Sequence, residues 1–356
     1  MTRFTHRALT LFALVLVAAA CGDDAADTAT DSENAEPDLG AEVVLVTYSA
    51  YALPEDQAEA FTEATGVEIK VVQVDDAGAA LSQAILTAGA PEGDVFFGID
   101  NTFLTRGQDS EAFDEYEPAG LDAVPAEFQL DDSGRFVPID ESTVCVLYDQ
   151  DWFAANDLEP PADLGALVEP AYEGLLTVEN PALSSPGLAF LTATNSEFGD
   201  GATEYWTQLR ENDVSVAASW DDAWYVEYTA SGGDRPLVVS YASSPPAEVI
   251  FSDGALTAPA SAVIESTCVR QVEFASVLAG ADNPAGARAL IDAMLTEEWQ
   301  AALPMSNFVF PVRDDVALPS EFDQWAVRPS DPITVSADEI GANREEWIDE
   351  WRSVME

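Results

Sequence analysis

The sequence has almost no basic side chains. Of its 356 residues, 13 are Lys or Arg and 66 are Asp or Glu, a formal net charge of −53, and Lys70 is the only lysine. Binding nucleic acid takes cations that displace counterions from phosphates, so that class of partner is nearly excluded. Docking on anionic lipid headgroups is excluded on the same ground. Histidine is scarcer still. The single imidazole, His6, lies in a segment read below as a cleaved export signal, which leaves none in the mature chain. Ser-His and Cys-His nucleophilic catalysis and His-ligated metal sites fall away with it, and no metal or cofactor is expected. Carboxylate acid–base chemistry stays open, but so many acidic residues make close pairs inevitable, and spacing carries little information about catalytic dyads.

The chain has a core's worth of apolar residues, 47% hydrophobic and 10% aromatic, and its length suits about two domains. It opens with a basic start, a largely apolar run from Ala8 to Ala20 and then Cys21, the pattern of a secretory signal. The run is too short for the ~20 residues that span a bilayer as a helix. Ala18-Ala19-Ala20-Cys21 resembles the bacterial lipobox, in which the cysteine is lipidated and becomes the new N-terminus. Ala18 stands where leucine is commoner, and plain secretory cleavage is the alternative. We therefore expect a signal peptide over 1–20, then a lipidated Cys21 leading an acidic tether over 21–41 without apolar periodicity. The protein is expected outside the cytoplasm, anchored by lipid to the outer face of the membrane or periplasmic. Two cysteines remain, Cys145 and Cys268. An even pair in an oxidising compartment favours a disulfide over a metal site or a nucleophile, and two separately buried thiols are the alternative.

From Glu42 onward strands alternate with helices. Apolar runs predict strands at 42–48, 67–74, 94–98, 175–178, 214–216 and 237–241, with longer β-rich runs at 136–149 and 263–277 that no hairpin turn follows. Amphipathic periodicity predicts helices at 54–65, 77–88, 152–156, 163–168, 187–194, 202–211, 220–231, 283–296, 297–303 and 338–354. This alternation is the mark of an α/β fold with parallel strands and right-handed crossovers. In such sheets ligands sit beyond the carboxyl ends of the strands. Those ends carry Tyr48-Ser49, Asp100-Asn101, Ser184-Ser185-Pro186-Gly187 and Tyr241 through Ser243-Ser244. Each reads singly as an Asx or Ser turn or a helix N-cap. Together they describe a cleft lined with hydroxyls, aromatics and a carboxylate.

At these positions the chain resembles the periplasmic thiamine-binding proteins of ABC importers, of the type II periplasmic-binding-protein fold. The carrying segments are Val46-Thr47-Tyr48, Gly98-Ile99-Asp100-Asn101, Asp140 through Val146-Leu147-Tyr148-Asp149, Ser184 through Leu188, Trp220 through Trp224, Val239-Ser240-Tyr241 with Ser243-Ser244-Pro245, Pro304 through Val312, and Arg344 through Trp351. The resemblance implies two lobes, each a mixed sheet flanked by helices, with the ligand between them. Lobe I would comprise 42–140 plus 270–305, lobe II 148–264, and 306–356 a helical segment packing across both. Cys145 and Cys268 would tie the crossing strands by a disulfide.

The resemblance also implies thiamine, or a thiamine phosphate, as ligand and an ABC permease as partner. Tyr48, Trp220, Trp224, Tyr241 and Phe308 would supply aromatic faces, Phe308 standing where tryptophan is common. Asp100, beside Asn101, would offset the cation. Ser184, Ser185 and Gly187 would hold the hydroxyethyl or phosphate end, with Ser243 and Asn307 completing the wall. Two competitors remain: a polyamine or other small-cation carrier of the same fold, and, more remotely, a thiamine-degrading enzyme or carboxylate-dependent hydrolase.

Overall fold

The computed structural model describes residues 38–356 except Asp75, so the signal segment, Cys21 and the tether up to Pro37 lie outside the described residues. Ten strands are found there: β1 (Glu42–Tyr48), β2 (Glu68–Val74), β3 (Val95–Asp100), β4 (Phe113–Asp114), β5 (Val137–Asp149), β6 (Leu176–Glu179), β7 (Ser215–Ala217), β8 (Leu237–Tyr241), β9 (Ser261–Leu278) and β10 (Phe310–Pro311). They form one hydrogen-bonded array in the order β2-β1-β3-β9-β5-β8-β6-β7, with β4 on β9 and β10 on β5. At either end the pairing is parallel, β2-β1-β3 and β8-β6-β7. Between them the long strands β9 and β5 pair antiparallel with each other and with β3 and β8.

Local chemistry accounts for these elements. The apolar stretch of β3 is buried at every residue, as expected of a strand covered on both faces. β2, at the edge of the sheet, alternates exposed and half-buried positions and carries Lys70 on its open side. The helix Glu55–Thr65 opens after Pro54 and stops at Gly66, whose φ of +76° is the left-handed cap that glycine adopts without penalty. The helix Ala77–Leu86 is capped by Asp76, and Pro284–Met294 by Asn283, which also donates to the carbonyls of Leu39 and Glu42.

Cys145 and Cys268 form a disulfide where the β5–β9 register jumps between Val144 and Val146. The bond belongs to a small buried cluster with Trp224 and Tyr228. At the C-terminus the helix Ala337–Met355 sets its Arg344 guanidinium 4.9 Å from the Phe103 ring centre and its Trp351 edge-on to Trp206. Among the described residues no helix is long and apolar enough to cross a membrane.

One expected helix is broken. Residues 220–231 form a short turn at Trp220–Asp222, a wide π turn at Ala223–Glu227 and a 3-10 turn at Thr229–Ser231. The bulky and β-branched run Trp224-Tyr225-Val226 is a weak helix former, and Tyr228 is anchored elsewhere by its hydroxyl, 2.9 Å from Ser261 Oγ. The expected helix at 163–168 is likewise only a 3-10 turn at Gly165–Val168. Short helices at Leu104–Gln108, Pro245–Ile250 and Ser320–Trp325 and the two-residue strands β4 and β10 are too brief to show a period in sequence.

Candidate functional site

The carboxyl ends of β1 and β8, the middle of β5 and β9 and the turns beside them enclose a cavity of about 300 Å³, at the lower end for small-molecule sites. One side is aromatic. Trp220 and Trp224 stack with centroids 5.8 Å apart and planes 12° apart, and Tyr241 and Tyr225 lie 6.3 Å and 5.6 Å from Trp220. Trp220 Nε1 donates to Ser240 Oγ at 2.9 Å, which fixes the indole. Opposite is Tyr48, backed by Phe97 and Tyr51. Its position depends on Gly98, where φ is +109° and a Cβ would stand 2.3 Å from the Tyr48 ring. Phe308 and Phe251 meet edge to face at 5.5 Å, and Phe308 holds a φ of +55°, uncommon for any residue but glycine.

The floor is acidic. Asp100 on β3, Glu273 on β9 and Asp140 on β5 are cross-strand partners, a row of three carboxylates over adjacent strands. Only Glu273 and Asp140 reach the cavity. Tyr48 Oη donates to Glu273 Oε2 at 3.1 Å, while Asp140 Oδ1 is buried without a partner. Burial, reinforced by the charge of Asp100, pushes the Glu273 carboxyl up to about 8. Burial and the charges of Glu273 and Glu141 hold Asp140 well above the ordinary carboxylate range. Asp76 and Asp221 add two more carboxylates, and among the described residues no Lys, Arg or His is on the wall. Among the described residues no group of His, Cys, Asp and Glu has the arrangement of a metal site.

The expected residues divide. Tyr48, Trp220, Trp224, Tyr241, Asn307 and Phe308 all lie on the cavity wall. The side-chain amide of Asn307, however, is engaged with the backbone of Ala52, accepting from its N–H and donating to its carbonyl at 2.9 Å. Asp100 is not on the wall. It is fully buried away from the cavity, its Oδ1 accepting from Thr102 and Phe103 and its Oδ2 from Gln271 Nε2 at 2.6 Å. Asn101 instead bridges to β9 through Arg270 and Val272. Ser184, Ser185 and Gly187 are buried off the wall, where Pro186 represents their turn. Ser243 also lies behind, sharing a 2.8 Å hydrogen bond with wall residue Ser142. Asp140, Ser142, Gln271 and Glu273 also line the wall, and the sequence assigns none of them to the site. Their signal is the polar residues embedded in the two long β runs, PIDEST and RQVEF.

This fold and this acid-and-aromatic cleft define a carrier of small solutes. The sequence pattern of the family described as "Bacterial extracellular solute-binding protein" matches residues 91–330, and the chain belongs to that family. Its members are binding proteins, not enzymes, and work outside the cytoplasm.

Two similar proteins are the thiamine-binding periplasmic proteins of Salmonella typhimurium and Brucella suis. Each is 28% identical, the first over 83% of this chain and 87% of its own length, the second over 82% and 84%. A solved periplasmic thiamin binding protein superposes with a TM-score of 0.78 at 26% identity, over 88% of this chain and 96% of that one. Iron-bound HitA from Pseudomonas aeruginosa, 20% identical with a TM-score of 0.72, shares the fold alone.

Proposed function

We propose that the chain binds thiamine in this cleft and hands it to the membrane permease of an ABC importer. The carrying observation is a set of aromatic rings and two buried carboxylates lining one cavity, on whose wall no basic side chain is found among the described residues. Thiamine pairs a permanently cationic thiazolium with a flat aminopyrimidine. Stacking on Trp220, Tyr241 and Tyr48 suits both rings, each cation–π contact giving roughly 0.5–2 kcal/mol according to desolvation. Glu273 and Asp140 take the charge-balancing role that the sequence assigned to Asp100. The named ligand of the similar proteins supports the same reading.

The expected lobes correspond in this proposal to the two parallel ends of the sheet, with β5 and β9 as the hinge between 42–140 plus 270–305 on one side and 148–264 on the other. The 306–356 segment lies across them. Ser49 Oγ meets Asp221 Oδ2 at 3.5 Å from opposite sides of the mouth, a contact suited to a closed state. Anchoring through Cys21 completes the proposal. Wild type should partition with membranes and Cys21→Ser should be released.

A second reading, a polyamine carrier, draws on the four wall carboxylates. Native mass spectrometry of the protein purified after exposure to a mixture of thiamine and spermidine separates the two. An added mass of one thiamine supports the proposal, and one of spermidine replaces it.

A further inference from the structure

We infer, on the thiamine reading of the cleft, that its floor is divided and that Gln271 selects a solute with a neutral N–H donor at one end and its positive charge at the other. Four wall residues form a square on adjacent antiparallel strands. Asp140 of β5 is the cross-strand partner of Glu273 of β9, and two residues along each strand Ser142 is the partner of Gln271. Residues two apart share a face of a strand and stand roughly 6.7 Å apart, comparable with the separation of two rings joined by one carbon. One half of the square is a pair of carboxylates. The other is a hydroxyl and an amide.

The protein itself orients the neutral half. Gln271 is 1% exposed, and its Nε2 donates to Asp100 Oδ2 at 2.6 Å. Asp100 Oδ1 already accepts from the backbone N–H groups of Thr102 and Phe103 and from the Thr102 hydroxyl. A carboxylate in that position only accepts, so nitrogen is the end of the Gln271 amide turned inward. Oε1 is the end left for the cavity. Beside it, Ser142 Oγ is shared with Ser243 Oγ at 2.8 Å behind the wall.

This half therefore asks the solute for a donor. An amine on a flat ring supplies one. A carbonyl in the amine's place would set acceptor against acceptor and leave the buried amide oxygen unpaired, the kind of mismatch that rejects an analogue most strongly. Stacking on Trp220 and Tyr241 and charge balance by Glu273 and Asp140 suit any flat cation, and Gln271 makes the distinction among them. Asp100 reaches the solute only through this amide, which gives that buried carboxylate a part in the site without a place on its wall.

Calorimetric titration of the whole mature chain at pH 7.5 with thiamine and with oxythiamine, its analogue with a ring carbonyl in place of the amine, tests this. Wild type should bind oxythiamine at least about 10-fold more weakly than thiamine. Gln271→Met keeps the length of the side chain and removes the amide, and it should bring the two affinities within threefold, mainly by weakening thiamine. An N-methylthiazolium ion carries only the cationic end. Its affinity should fall in Glu273→Gln and hold in Gln271→Met, a contrast that a merely structural role for Gln271 would not produce. Oxythiamine binding wild type within threefold of thiamine would overturn the inference, whether or not Gln271→Met folds. An equal loss of thiamine and oxythiamine in Gln271→Met would overturn it too. If wild type gives no heat with thiamine, the thiamine reading itself fails, and melting temperatures with the thiazolium and with an aminopyrimidine decide the rest. A rise with each, removed by Glu273→Gln for the first and by Gln271→Met for the second, upholds the divided floor, and any other pattern overturns it.

Discussion

Asp140 and Glu273 are direct cross-strand partners on β5 and β9, both buried and both on the wall of the same cavity. Two like charges placed in register in the middle of a sheet oppose folding when both are ionised. A cation between them removes that opposition, so their placement links ligand binding to protonation.

The sign of the linkage follows from the direction of the shifts. Both carboxyls titrate higher in the folded chain than in the unfolded one, Glu273 at about 8. The folded state therefore holds more protons, and these groups' contribution to stability falls as pH rises from the ordinary carboxylate range through about 8. Ligand-free protein should melt higher at pH 5.5 than at pH 8.5, and saturating thiamine should shrink the difference. Thiamine binding near pH 7 should release protons, seen as a dependence of the calorimetric enthalpy on buffer ionisation heat. Glu273→Gln should abolish most of that dependence.

Gly98 makes room for the Tyr48 ring at a backbone angle that favours glycine. Gly98→Ala should destabilise the fold by about 1–3 kcal/mol through overpacking and weaken thiamine binding at least about 10-fold by displacing the ring. Tyr48→Phe keeps the ring and loses only the hydrogen bond to Glu273, so it should cost less affinity than Gly98→Ala. Urea denaturation and calorimetry report the two effects separately.

The Cys145–Cys268 bond closes a loop of 123 residues. In the chain-entropy account a loop of that length contributes up to ~4–5 kcal/mol. The double variant Cys145→Ser/Cys268→Ser should lower the urea midpoint accordingly. Since the bond packs in one cluster with Trp224, the variant should also lose thiamine affinity under conditions where it remains folded.

A hinge through β5 and β9 should give a measurable closure. Small-angle scattering should show a smaller radius of gyration with saturating thiamine than without. Coincident curves would remove the closing motion from the proposal.

Much of the architecture was legible because it rests on period and punctuation. The apolar run of β3 ahead of Asp100 and the Gly66 stop each announce themselves locally. The aromatic half of the site was legible for a similar reason, since Tyr48 and Tyr241 end their strands. The acidic half was not. Asp100 also ends a strand, but its own turn and Gln271 saturate it. Asp140 and Glu273 sit within strands, and only the β5–β9 register brings them together. The broken helix at 220–231 escaped because Tyr228 is held by Ser261, a partner distant in sequence.

The most direct test of the account is calorimetric titration of wild type, Glu273→Gln and Asp100→Asn with thiamine at pH 7.5. The account predicts one-to-one binding to wild type. In Glu273→Gln it predicts a loss of about 10- to 150-fold, a charge-assisted hydrogen bond being worth roughly 1.5–3 kcal/mol and each 1.4 kcal/mol tenfold. Asp100→Asn, away from the cavity, should bind within a few-fold of wild type. No heat from wild type, or a loss confined to Asp100→Asn with Glu273→Gln unchanged, would contradict it.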